Sequence, residues 1–160
     1  MTSKALSQLI PFLALTCLFA VGCGSRGPAR PGFDPEWSAK EALKTYDANS
    51  DGKIDESEVA ASPGLKEAFS NIDTDQDGSL TGEEIAARVN YYKSAPTTII
   101  SGATRVTYKG RRIPGARVVF EPEPFLGADF KVCEGTTGTN GEASVSGVDD
   151  EYPGLYLGFY

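Results

Sequence analysis

The sequence predicts an α+β multidomain protein: a compact helical unit built on two acidic loops, then a small antiparallel β-sandwich, all behind a signal peptide. Three observations predict it. An apolar run, Leu9 to Val21, opens the chain; two twelve-residue acidic stretches, Asp47 to Glu58 and Asp73 to Glu84, repeat at an offset of 26 residues; and from about residue 97 helix formers give way to short runs rich in Val, Thr and Gly. The implied divisions are 1–22 for the leader, 23–34 for a flexible tether, 35–94 for the helical unit and 97–160 for the β module.

Lys4 gives the leader a modest positive start, and its apolar core is shorter than the roughly 20 residues a spanning helix needs, so it reads as an export signal. It ends in Ala20-Val21-Gly22-Cys23, which resembles the bacterial lipobox, with alanine where that motif usually has leucine. The resemblance implies lipidation of Cys23 and a lipoprotein of the cell envelope, anchored to a membrane and facing periplasm or exterior. A plain signal-peptidase cut near Gly22 is the alternative and would leave the protein secreted. Several acyl chains hold a protein firmly, at roughly 0.8 kcal/mol per buried CH₂, where one holds only marginally. Residues 24–33, GSRGPARPGF, have the composition of a tether that needs only reach.

In the helical unit Asp34 caps a helix with Pro35 at its first position, and Ala39, Leu43 and Tyr46 follow at helical spacing. Leu65, Ala68, Phe69 and Ile72 repeat the pattern before the second loop, so each loop has apolar residues four and one positions before its first acid. The first loop carries Asp47, Asn49, Asp51, Lys53, Asp55 and Glu58 at positions 1, 3, 5, 7, 9 and 12, and the second carries Asp73, Asp75, Asp77, Ser79, Thr81 and Glu84. A hard cation that takes six to eight oxygens at 2.3–2.6 Å needs such donors spaced by two on a tight loop, closed by a bidentate glutamate. Position 7 ligates through its carbonyl, so the ammonium of Lys53 is free to point to solvent. Position 6 needs a sharp reversal, and Gly52 and Gly78 occupy it.

Acidic glycine-containing runs are usually plain turns, but two full matches in tandem, each with an aliphatic residue at position 8, resemble the EF-hand family over about residues 35 to 92. The resemblance implies two bound Ca²⁺ ions, held by the twelve residues just named. It also implies that Ile54 and Leu80 pair as a short ribbon joining the loops, and that an exit helix begins after each closing glutamate. Only 14 residues, 59–72, separate the loops, and Ser62-Pro63-Gly64 interrupts them, so each connecting helix is expected to run about two turns. Calcium sensors expose a methionine-rich groove, whereas the one methionine here is Met1, which disfavours a sensor role. The short spacing is also similar to dockerin modules, which bind a protein partner; the glutamate at position 12 and the apolar entering helices argue against that alternative.

The β region predicts strands at Thr104–Tyr108, at Ala116, Val118 and Phe120, at Ala143 and Val145, and at Leu155–Tyr160, with turns at Lys109-Gly110, Ile113-Pro114-Gly115 and Asn140-Gly141. The run SGATRVTYKGRRIPGARVVFEPEP, then GTTGTNGEASV and PGLYLGFY, resembles the carboxypeptidase regulatory-like or transthyretin-like β-sandwich. That resemblance implies a non-catalytic stalk or adhesion unit. Residues 122–131 show no readable period. Lys109, Arg111 and Arg112 suit an acidic polysaccharide or lipid headgroups, but equally a solvated hairpin end. Tyr152, Tyr156, Phe159 and Tyr160 suit either a sugar-stacking face or a core. The chain ends at Tyr160 within an expected strand, as a fragment or a minimal sandwich would.

The formal charge of −7 becomes −8 without the leader, and two Ca²⁺ ions would bring it to −4. That acidity disfavours nucleic acid as a partner and leaves calcium, a membrane through the lipid anchor, and a cell-surface protein or polysaccharide. With Cys17 in the leader and Cys23 lipidated, Cys133 stands alone, which excludes an internal disulfide and suits a partly buried strand residue. The sequence holds no histidine, so the Ser-His-Asp and Cys-His mechanisms are excluded and no enzyme is expected. The expected role is a calcium staple or calcium-dependent adhesion, with a carbohydrate-binding or dockerin-like surface module as the alternative.

Overall fold

The computed structural model describes residues 29–101, 103–145 and 154–160. The leader at 1–22, the lipidation site Cys23 and Tyr152 lie outside them. Among the described residues, no helix is long and apolar enough to cross a membrane.

Helix α1 spans Pro35–Tyr46 and starts as its sequence dictates: Pro35 brings a preset φ, and the Asp34 carboxylate accepts a hydrogen bond from the Trp37 amide at 3.1 Å. It stops at Asp47, whose amide still donates to Leu43 O while its own backbone leaves the helix. Strand β1, Lys53–Asp55, follows within the first loop. The exit helix expected next is a single 3₁₀ turn, Val59–Ala61. Ser62 precedes a proline and is therefore pushed to extended dihedrals, φ −119° and ψ 101°, which ends the turn. Its hydroxyl then accepts from the Leu65 amide and caps α2, Pro63–Ile72. The linker thus divides unequally, into one short turn and a ten-residue helix, where two equal two-turn helices were expected. Strand β2, Ser79–Thr81, leads into α3, Gly82–Ser94, through a capping box between Thr81 and Glu84.

The ribbon joining the loops has the predicted register, with Ile54 opposite Leu80, Lys53 opposite Thr81 and Asp55 opposite Ser79. Ile54 and Leu80 are both fully buried. Beneath them α1 packs chiefly on α3.

Beyond α3 the described strands are short and pair two by two, all antiparallel: β3 (Ile99–Ile100) with β10 (Leu155–Tyr156), β4 (Ala103–Arg105) with β9 (Glu142–Ser144), β5 (Thr107–Tyr108) with β6 (Arg111–Arg112), and β7 (Arg117–Phe120) with β8 (Cys133–Thr136). The run expected as one strand at 104–108 is split between β4 and β5, and the strand expected at 155–160 is ordered as strand for two residues only. The turn at Lys109-Gly110 holds both residues at positive φ, 49° and 75°, the twist that a two-residue hairpin requires. Cys133 is a free, buried thiol on β8.

One apolar core runs through both parts. Ala42, Val59, Leu65, Ile72, Ile85 and Val89 of the helical part share it with Phe125, Leu126, Phe130 and Phe159 from the C-terminal half. Residues 122–131, unreadable in the sequence, supply a 3₁₀ turn at Pro124–Leu126 that drives Phe125 and Leu126 inward. Phe159 takes the core alternative, buried against Tyr92 and Phe125 at ring distances of 5.4 Å each. The end of the segment read as a tether is also held: Phe33 is buried edge-on to Phe130, and the Gly32 amide donates to Asp129 at 2.7 Å.

Candidate metal centre

The two loops fold as one motif written twice, and backbone amides aimed at carboxylates define it. The Gly52 and Gly78 amides donate to Oδ2 of Asp47 and Asp73 at 2.9 and 3.1 Å, and those of Asp51 and Asp77 donate to Oδ1 of the same two residues at 3.2 Å. The closing glutamates bridge each loop in the same way. Glu58 Oε1 accepts from the Ala48 amide and Oε2 from that of Asp55; Glu84 Oε1 accepts from Thr74 and Oε2 from Thr81. The carboxylates of Asp47, Glu58, Asp73 and Glu84 are therefore held by their own loops, which lowers the entropy cost of gathering several donors on one cation.

Backbone conformation repeats as well. Ser50 and Gln76 at position 4 have φ of 61° and 60°, and Gly52 and Gly78 at position 6 have φ of 87° and 83°. A Cβ at either glycine would touch nothing within 4 Å, so positive φ, not crowding, calls for glycine there.

The residues fit a hard divalent ion. In the second loop carboxylate oxygens of Asp73, Asp75 and Glu84 lie within 4.8 Å of one another, an all-oxygen set such as calcium takes. In the first loop position 3 is Asn49, an amide, whose Oδ1 accepts from the Asp51 amide at 2.8 Å and whose Nδ2 donates to Asp51 Oδ2 at 3.1 Å. The acids of that loop are Asp47, Asp51, Asp55 and Glu58, and Asp55 at position 9 accepts from the Ser57 and Glu58 amides. In the second loop Asp77 Oδ1 accepts from the Ser79 amide at 2.8 Å, Ser79 being at position 7, and Thr81 at position 9 donates its hydroxyl to Glu84 Oε2 at 2.9 Å.

Electrostatics favour the charged forms of Glu84, Asp77 and Asp55. Burial raises the Glu84 carboxyl, but hydrogen bonds from the amides and hydroxyls of Thr81 and Thr74 outweigh it and hold the group at about 2. Asp77 is lowered mainly by the Lys53 ammonium, then by the Ser79 amide. Asp55 is lowered by the Ser57 hydroxyl and the Glu58 amide.

Two residues behave otherwise than the sequence suggests. The Lys53 ammonium stays exposed but is not free: it donates to Asp77 Oδ2 of the other loop at 2.6 Å. The second is Glu123, a buried carboxylate that sequence reasoning passed over. It accepts hydrogen bonds from the Tyr46 hydroxyl, the Ser62 hydroxyl at 2.6 Å and the Gly64 amide at 3.0 Å. Its one sequence signal is the apolar pair Phe125-Leu126 directly after a proline-spaced acid. By contrast Lys109, Arg111 and Arg112 lie exposed on the β5–β6 hairpin.

No curated protein and no solved structure matches the chain. Residues 39–61 and 65–89, which hold both acidic loops, match the family model of the EF hand, and that match suggests calcium binding.

Proposed function

We propose that this is an exported, lipid-anchored calcium-binding protein in which each loop takes one Ca²⁺ ion, and in which the ions serve as structural staples or as the basis of calcium-dependent adhesion. The carrying observation is the duplicated arrangement of amides on Asp47 and Glu58 and on Asp73 and Glu84, which orients oxygen donors at matching positions of both loops. The ligands are Asp47, Asn49, Asp51, the Lys53 carbonyl, Asp55 and Glu58 in one loop, and Asp73, Asp75, Asp77, the Ser79 carbonyl, Thr81 and Glu84 in the other.

An ion that binds only the folded form raises stability by mass action. At an exterior rich in calcium, affinities of roughly 10⁻⁴ to 10⁻³ M suffice for such a role. Export and anchoring rest on the apolar leader and on Cys23, and the segment from residue 97 serves as a module of the carboxypeptidase regulatory-like type. Calcium titration calorimetry on the chain without its leader tests the proposal. The expected stoichiometry is two, falling to one in Glu58→Gln and in Glu84→Gln; a wild-type chain that takes up no calcium at millimolar concentration overturns it.

A further inference from the structure

We infer that the C-terminal half is the loop pair's own bound ligand, and that Glu123 is the positioning residue through which its docking sets calcium affinity. The inference rests on the calcium-binding reading above.

Glu123 sits where both loops are entered. Tyr46, which donates to its Oε2, is the last residue of α1 and directly precedes Asp47, the first ligand of loop one. Ser62 and Gly64, which donate to its Oε1, form the start of α2, the helix that ends at Ile72 and delivers Asp73, the first ligand of loop two. One buried carboxylate therefore fastens the two entering helices to each other and to residues 122–131. The Glu123 amide, in turn, donates to Phe159 O at 2.9 Å, which brings the chain's last residues to the same place.

Apolar contacts follow the polar ones. Phe125, Leu126 and Phe159 are 1–2% exposed and fill the space between the helices; Phe125 meets Tyr46 edge-on at 6.3 Å, and Phe159 meets Tyr92 at 5.4 Å. In calcium sensors of this kind the surface between the helices receives a separate target. Here the chain's own aromatic residues occupy it. The docked segment coexists with loops whose closing glutamates already bridge their amides, so docking and oriented loops occur together in one structure. Reciprocity then requires that docking raise calcium affinity by the factor by which calcium favours docking.

The test uses the full mature chain and calcium alone as probe, with calorimetry for affinity and Trp37 emission for docking. Trp37 is the sole tryptophan, and a methyl at Gly127 would sit 3.6 Å from its ring, so its emission reports on the 124–127 turn. Glu123→Ala is expected to weaken calcium binding at least about fivefold, with two ions still bound, and to shift Trp37 emission in a calcium-dependent way. Glu123→Gln keeps an acceptor for Ser62 and Gly64 but replaces the one facing Tyr46, so its loss is expected to be smaller. Tyr46→Phe should match it.

A purely structural role for Glu123 would lower the melting point in chelator and leave calcium affinity unchanged, and that result overturns the inference while the calcium reading stands. Should Glu123→Ala fail to fold, unchanged affinity in both Glu123→Gln and Tyr46→Phe overturns it equally. A wild-type chain that binds no calcium would remove both readings together.

Discussion

Lys53 Nζ lies 2.6 Å from Asp77 Oδ2, so position 7 of the first loop reaches position 5 of the second. The other oxygen of Asp77 accepts from the Ser79 amide at 2.8 Å, so both of its oxygens are engaged within the loop pair. A calcium ion ligated by Asp77 would therefore have to compete with a tethered ammonium. Replacing Lys53 by Gln is expected to raise the affinity of the second loop by about two- to fivefold, the range for an exposed ion pair, with the gain shrinking as salt is added. Calorimetry on Lys53→Gln at two ionic strengths checks this; equal affinity in wild type and variant at low salt would show that the lysine does not contest the site.

The Tyr46 hydroxyl is held up to about 12, first by burial and then by its hydrogen bond to Glu123. A phenol whose proton is held more tightly in the folded chain stabilises fold only while the unfolded chain keeps that proton too. The contribution is complete below the ordinary phenol value of 10 and is lost as pH rises from there to about 12. Melting curves across that window are expected to fall more steeply for wild type than for Tyr46→Phe. Parallel curves would mean that the hydroxyl does not feel Glu123.

Two helical glycines make opposite predictions. At Gly64 an added Cβ would lie 2.8 Å from the Tyr160 amide nitrogen and 2.9 Å from Phe159 Cβ, so the chain's end has no room to yield without backbone movement. At Gly82 it would lie 3.3 Å from Leu43 Cδ1, the far end of a flexible side chain. Alanine is a better helix former than glycine at both sites, yet Gly64→Ala should cost about 1–3 kcal/mol and Gly82→Ala should add up to about 1 kcal/mol. Denaturant melts of the two variants decide it, and a stabilised Gly64→Ala would mean that residues 159–160 do not pack there.

The loops were legible because their chemistry is local: oxygen-bearing residues two apart, a glycine at the reversal and a glutamate at position 12 all lie within one short window. The Ile54–Leu80 ribbon was legible for the same reason, since the register follows from aligning the two repeats. The first exit helix is shorter than its spacing predicts because Pro63 acts backwards on Ser62, and that serine serves the next helix as its cap. Lys53 could not be placed, because its partner lies 24 residues away and is set by the back-to-back ribbon. Glu123 was harder still. A buried carboxylate 77 residues from Tyr46 and 61 from Ser62 leaves no periodic trace, and residues 122–131 hold their place by long-range contacts and not by regular structure.

Thermal unfolding followed by helicity, in 10 mM calcium and again in chelator, tests most directly whether these crescents are ion cages. With two sites of roughly 10⁻⁴ to 10⁻³ M affinity, calcium is expected to raise the midpoint by at least about 6 °C and the helical signal with it. Superimposable curves in the two conditions would contradict the account.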